Sequence, residues 1–460
     1  MKRIERDFIG EMELSDDCYY GIQTLRAIEN FPISKEKLSD FPIFISSIVM
    51  VKKAAALANF ELGLLDSKLK DAIIKACDRI LEGEFHEQFV VPMIQGGAGT
   101  STNMNANEVI ANVALEILGH KKGEYEFCHP NDHINKSQST NDVYPTAIRL
   151  ALYLRLGNLA ESMKILSESF ERKAKEFEDV IKMGRTQLQD AVPMTLGQEF
   201  STFASMLQKD SSRILDSRNE FKIINLGGTA IGTGINAPKN YKNIVESKLR
   251  EVTNIDFVTA RNLIEATQST SAYVQLGGVL KRAAVKLSKI CNDLRLLSSG
   301  PRAGLNEINL PKMQPGSSIM PGKVNPVIPE VVNQVCYLMI GSDMTITMAA
   351  EGGQLQLNVF EPVIVYSLLN SIILLENANL TLATKCINGI TANKEICKNF
   401  VLNSVGIVTA LSPIIGYEKS ASIAKEALNS NRNVYEITLE RGYLSKEELD
   451  RIFSIKNMIN

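Results

Sequence analysis

Residues 315–326 read PGSSIMPGKVNP, a short stretch that sets two hydroxyls and one lysine among prolines and glycines. The Gly-Lys pair invites a nucleotide phosphate loop, but that loop needs four residues between its glycines and a Ser or Thr after the lysine to hold magnesium. Here five residues separate Gly316 from Gly322, and Val324 follows Lys323. Both requirements fail. Glycines allow torsions that other residues avoid, while Pro315, Pro321 and Pro326 stiffen the chain around them. Such a piece is suited to swing as a unit and close over a site. Lys323 supplies a cation for a carboxylate. A serine here acts as a base only if nearby amides and a positive charge stabilise its alkoxide. A flexible surface loop is the plainer alternative, and it fits poorly with Ile319 and Met320 inside the segment.

Three more polar stretches carry neutral donors close to helix starts. GGAGTSTNMNANEV (96–109) places Thr100, Ser101 and Thr102 ahead of a helix through Val109, Val113 and Ile117. NKSQSTNDVYPTA (135–147) places Ser139, Thr140, Asn141 and Asp142 ahead of a long helix. GRTQLQDAVPMT (184–195) places Thr186 and Gln187 shortly before another. Taken singly, such residues read as helix caps worth about 1 kcal/mol each. Capping uses one or two side chains, however, and Ser139-Thr140-Asn141 offers three neighbours. Helix N-termini also carry free N–H groups and partial positive charge. Donor-rich loops converging on helix starts suit a small polyanionic substrate.

The elements that position these loops are helical. Leu152, Leu156, Leu159, Met163, Leu166, Phe170, Ala174, Phe177 and Ile181 recur at steps of three and four, which predicts one helix of about eight turns. Further stripes run through Tyr273, Leu276, Leu280, Ala283, Leu287, Ile290 and Leu294, through Leu196, Phe200, Phe203 and Leu207, and through Val332, Val335, Met339, Ile346 and Ala349. Long helices at near-heptad spacing pack side by side at shallow angles. Small or apolar residues off the stripe, such as Gly277, Gly278 and Ala284, predict burial on more than one side and hence subunit association. A single-chain bundle is the plainer alternative. INLGGTAIGTGIN (224–236) fits no G-x-G-x-x-G dinucleotide pattern and reads as a loop after the third helix. Residues 1–140 form a mixed loop and short-helix domain, 141–394 the central bundle, and 395–460 a small helical domain.

Composition narrows the function class. With 50 basic and 52 acidic residues and no basic tract, no nucleic-acid partner is expected. No run of about 18 apolar residues is evident, so no membrane span is expected. MKRIERDFIGEMELSDD shows no secretory signal. Seven scattered cysteines without a C-x-x-C pair argue for reduced thiols, a cytoplasmic protein and no zinc site. The four histidines all lie by residue 133, so no His-rich metal centre is expected. His129 and His133 in HPNDH are read as structural or surface residues.

GSSIMPGKVNP is similar to the signature of the aspartase/fumarase superfamily. The resemblance extends from RIERDFIGEME through YYGIQTLRAIENF and the four loops to CINGITANKEIC. It implies an all-α fold of three domains, with a central long-helix bundle forming the core of a homotetramer whose active sites gather loops from three subunits. It implies Ser317 as the base that takes a proton from the substrate's β-carbon to form an enediolate. Thr100, Ser139, Thr140 and Ser318 match the donors to that dianion. Asn141 and Thr186 match residues holding the amino group and the far end of the substrate. Lys323 matches the partner of the α-carboxylate, and Asn325 supports it. No essential cofactor and no metal ligands are implied; non-essential activation by a divalent metal such as Mg stays open.

Local features favour the branch that interconverts L-aspartate with fumarate and ammonia over the class II fumarase branch. Gln187 follows GRT, where fumarases carry His. Loss of hydroxide needs a proton delivered to the leaving oxygen, which glutamine cannot supply. Ammonium leaves with its proton in place, so Gln187 counts among the substrate-binding residues. STND and VNPVIPEVVNQV are also similar to that branch, as is YYGIQTLRAIENF, although Gln23 replaces the His common there. A silent scaffold is disfavoured by the intact Ser317, Lys323 and Asn325. Argininosuccinate and adenylosuccinate lyases need acid histidines in these loops, and none follows His133.

Overall fold

The chain begins with an antiparallel ribbon, β1 (Lys2–Arg6) and β2 (Glu11–Ser15), as seen in a computed structural model that describes residues 2–454 and 457. Helices α1 (Ile22–Asn30), α2 (Pro42–Glu61), α3 (Ser67–Leu81) and α4 (Thr100–Leu118) follow. Next comes α5 (Thr140–Glu176), then a hairpin of β3 (Ile181–Thr186) and β4 (Gln189–Thr195), and α6 (Leu196–Arg218). Strand β5 (Ile223–Ile224) pairs in parallel with β6 (Val258–Thr259) around α7 (Tyr241–Thr253). Helices α8 (Leu263–Gln268) and α9 (Ser271–Leu297) lead to β7 (Ile308–Asn309), α10 (Val327–Glu351) and α11 (Glu361–Lys385). Strand β8 (Thr391–Ala392) pairs back onto β7 ahead of α12 (Lys394–Asn403) and four further α-helices ending at Ile452. The architecture is all-α, with strands confined to two-stranded ribbons.

The contacts divide the chain into two units, residues 1–160, 212–282 and 338–374 in the first, and 161–211, 283–337 and 375–460 in the second. In the first, α2, α3 and α4 pack through residues such as Phe44, Ile48, Ile73, Ile110 and Val113, all fully buried. In the second, Phe170, Phe200 and Phe203 form an aromatic triangle with centroids 5.6–5.8 Å apart. A further core joins Ile181 and Met183 of β3 to Val401, Ile407, Leu411, Ile437 and Leu449.

The helix stripes are realised, with two corrections. α5 runs Thr140–Glu176, so it starts well before Leu152 and stops short of Ile181. Residues 143–152 are buried nearly all round, which erases any stripe there, while Phe177 and Val180 take the N–H bonds of Gly197 and Leu196 and turn the chain into β3. α11 was not anticipated; its apolar residues cover several faces and leave no simple period. Contrary to the expectation of no span, α2 and α11 are long and apolar enough to cross a membrane. Over half of each stretch is buried within the chain's own fold, as in the core helices of globular proteins.

Candidate active site

In the first unit the turn before α4 is held by three successive positive φ angles, Gly97 at +88°, Ala98 at +55° and Gly99 at +88°. A Cβ at Gly99 would lie 2.5 Å from the Tyr144 ring, so only glycine fits. This turn presents Thr100 at the first position of α4, exposed, its hydroxyl donating to Gly97 O at 2.8 Å. Three residues on, buried Asn103 donates to Thr140 Oγ1 at 3.0 Å and to Asn135 Oδ1 at 3.1 Å. The starts of α4 and α5 are thereby tied together, which brings Thr100 into one neighbourhood with Ser139, Thr140 and Asn141.

Part of that cluster does cap the helix. Ser139 Oγ accepts the Asn141 N–H at 3.3 Å, and Asp142 Oδ1 accepts the Ser139 N–H at 2.9 Å, a reciprocal cap. Asp142 is fully buried, and its other oxygen accepts the N–H groups of Gly227 and Thr229 at 2.9 and 3.0 Å. The glycine-rich stretch 224–236 is indeed a loop, and this carboxylate fastens it to α5. Asn141 adds a bond from its amide to Ala230 O at 2.7 Å. Pro145 has no N–H to give to the carbonyl four residues back. Asn225 Nδ2 fills that role, donating to Asn141 O at 2.9 Å.

Beneath the cluster lies Lys52, 1% exposed, whose Nζ donates to Asn135 Oδ1 at 2.8 Å and Gln138 Oε1 at 3.0 Å. Burial lowers its pKa to about 7, against the pull of the Asp142 charge. Burial likewise raises Asp142 to about 6, opposed by the N–H groups it accepts and by Lys52. His129 Nδ1 accepts the N–H groups of Asn131 and Asp132, and His133 Nδ1 accepts that of His129. Both rings thus brace the turn Pro130–Ile134, in keeping with a structural role.

In the second unit GRTQLQDAVPMT is a hairpin, where sequence had suggested only a loop. Thr186 pairs with Gln189 across a two-residue turn in which Gln187 (φ 53°) and Leu188 (φ 63°) are both left-handed. Such turns match the twist of the strands but normally use Asn or Gly. Bulkier residues held there store strain of the kind found at functional sites. Thr186 and Gln187 are exposed at its tip.

The 315–326 segment closes on itself. Gly316 N–H donates to Lys323 O at 2.7 Å, and Asn325 Nδ2 donates to Gly316 O at 2.7 Å. A Cβ at Gly316 would approach Lys323 O to 2.8 Å, so the neck requires glycine. Within it Ser317 Oγ accepts two backbone N–H groups, from Ile319 at 3.2 Å and Met320 at 3.0 Å. Ser318 and Lys323 are exposed, as are Ile319 (83%) and Met320 (48%), so in the isolated chain the apolar pair does not argue against a surface loop. A cavity of about 520 Å³ adjoins the neck, lined by Lys323, Asn325, Arg295, Lys312 and Glu330 among others.

Sequence reasoning missed Asn103 and Lys52. The signals were present: Asn103 and Asn107 stand one turn apart in NMNANE, and Lys52 interrupts an apolar run, IFISSIVMVKKAAALA. Among the described residues no group of three or more His, Cys, Asp or Glu could hold a metal ion.

Residues 10–341 match the family described as Lyase, and residues 407–460 match that described as Fumarase C C-terminus. An aspartate ammonia-lyase of Helicobacter pylori (strain ATCC 700392 / 26695) is 68% identical over 458 residues, covering 100% of this chain and 98% of the relative. One from Escherichia coli (strain K12) is 58% identical over 459 residues, covering 100% and 96%. A crystal structure of fumarate lyase:delta crystallin from Brucella melitensis bound to cobalt superposes with a TM-score of 0.97 at 54% identity, covering 100% of this chain and 99% of that one. A class II fumarase from Schistosoma mansoni superposes at 0.93 with 36% identity and the same coverage.

Proposed function

The chain belongs to the aspartase/fumarase superfamily of lyases, within its aspartate ammonia-lyase group, and from that premise we propose how this carbon–nitrogen lyase works. Its reaction is the reversible conversion of L-aspartate to fumarate and ammonia. Ser317 Oγ, as alkoxide, takes a proton from the β-carbon. The C–H electron pair moves into the adjacent carboxylate and forms an enediolate. As that dianion collapses, the pair forms the new C=C bond, the C–N bond breaks, and its electrons leave with ammonia.

The observation that carries this reading is the pair of amide N–H groups aimed at Ser317 Oγ, at 3.0 and 3.2 Å. Donors fixed in advance on an oxygen that must bear charge are the usual source of electrostatic stabilisation. Thr100, Ser139, Thr140 and Ser318 would receive the enediolate; Lys323, with Asn325, would hold the α-carboxylate. Asn141, Thr186 and Gln187 would hold the amino end. Closure of the loop over substrate would cover Ile319 and Met320.

We read the working assembly as a homotetramer, each site drawing its clusters from three copies. The exposed apolar residues Val331, Tyr337, Leu338, Met344 and Met348 along α10 support a partner surface there. A cytoplasmic setting suits the reaction, no cofactor takes part, and a divalent metal such as Mg would act only as a non-essential activator. Fumarate hydration is the second reading, favoured only by the shared fold and disfavoured by Gln187. Following fumarate absorbance with L-aspartate or malate separates them: fumarate appears from aspartate. Fumarate from malate alone would overturn the proposal.

A further inference from the structure

We propose that Glu307 is a positioning residue for this site, a joint through which the hairpin carrying Thr186 and Gln187 and the segment leading into the Ser317 loop are held in one register. This rests on the reading above for what those residues do, but the joint itself is visible without it. The Glu307 side chain is completely buried in the second unit. Arg185 Nη1 donates to its Oε1 at 2.6 Å. Lys182 Nζ lies 3.0 Å from Oε2, close enough for an ion pair though off the line of a hydrogen bond. Lys182 also pairs with Glu199 of α6, so two anions and two cations alternate and their charges cancel.

Both cations sit on β3, three residues apart. A regular strand would send positions 182 and 185 to opposite faces. The ladder is irregular between Met183 and Arg185, where one residue of β3, Gly184, faces two of β4, Ala191 and Val192, and Gly184 has no room for a side chain, since a Cβ would come 2.7 Å from Val192 O. Such irregularities re-aim side chains beside functional sites. The residue after Arg185 is Thr186, so what fixes Arg185 fixes the hairpin tip.

The Glu307 backbone is anchored as firmly. Its N–H donates to Leu297 O, and its carbonyl accepts the Asn393 N–H, both at 2.9 Å. Its neighbours Ile308 and Asn309 pair with Ala392 and Thr391. The chain then runs directly to the Gly316 neck. Replacing the carboxylate by an amide leaves the Arg185 guanidinium without its buried counter-charge, and breaking a buried pair by removing one member is strongly destabilising.

The test is Glu307→Gln in the full chain, read by amide hydrogen exchange without substrate and by steady-state kinetics. Exchange should rise about tenfold or more in residues 181–195 and 308–326 together, while residues 100–118 stay unchanged. kcat/KM for aspartate should fall about tenfold or more at temperatures well below the unfolding midpoint. The loss should be non-additive with that of Thr186→Ala. Should Glu307→Gln not fold, Glu307→Asp, which keeps the charge but shortens the reach, should give the same paired rise. Unchanged exchange, loosening of one segment alone, uniform loosening of the chain, or full activity with only a lowered midpoint would each overturn the joint. Because exchange is read without substrate, a wild-type chain that fails to make fumarate would defeat the function and leave the joint still tested.

Discussion

Replacing Ser317 by alanine removes one oxygen and leaves the neck of its loop intact, since Gly316, Lys323 and Asn325 hold one another without it. The magnitude follows from what that oxygen must do. An alcohol, like water, ionises far above neutral pH, so ionising it near pH 8 costs about 10 kcal/mol at about 1.4 kcal/mol per unit. Two preorganised amide donors contribute about 3 kcal/mol each, or about 6 together. The remaining 4 or so is the size of the stabilisation that a cation about 4 Å from the alkoxide supplies at an effective dielectric of about 20. The variant keeps both amides but has no oxygen bonded in place between them and the β-carbon, so kcat should fall about 10⁴-fold or more. Aspartate binding should change less than about threefold and the oligomer should persist. The assay is fumarate absorbance at saturating aspartate, with sedimentation as the control. A variant within about tenfold of wild-type kcat would refute both the base and the amide argument.

Lys323→Ala should raise KM for aspartate about 10- to 100-fold, the loss of a charged hydrogen bond of about 1.5–3 kcal/mol; an unchanged KM would remove its carboxylate role. Lys52 binds its proton less tightly in the fold, at about 7 against 10.5. Between those pH values the unfolded chain binds more protons, so stability should rise with pH across that window. Thermal midpoints of wild type should therefore climb relative to Lys52→Met from pH 7 to about 10, and parallel curves would sink the assignment. Gly99→Ala should destabilise by at least about 2 kcal/mol, from the positive φ and the clash with Tyr144; a chemical-denaturation shift under about 0.5 kcal/mol would contradict it.

What could be read in advance was local. The stripes of α6, α9 and α10 repeat at a helix's own period, so neighbours alone announced them, whereas Ser317, Lys323 and Asn325, though within nine residues of one another, took their proposed roles from the family resemblance. The hairpin of Thr186 escaped notice because Gly184 and Pro193 break its alternation and its turn uses Gln187 and Leu188 in place of the usual Asn-Gly. Asn103, Lys52 and Glu307 were harder still. Their roles lie in partners 37, 83 and 122 positions away, Thr140, Asn135 and Arg185, and no local pattern encodes such distances. The same holds for Asp142, which reads as a cap until Gly227 and Thr229 appear at its second oxygen.

The neck that ties Gly316 to Lys323 and Asn325 also bears on how turnover would respond to the medium. On the proposed closure of this loop, a nucleus of two hydrogen bonds, 2.7 Å each, would let the serine and its amide cradle travel as a finished cartridge. Thickening the solvent would then slow its arrivals while leaving the chemistry of each arrival intact, and heating would quicken the traffic long before it loosened the cargo.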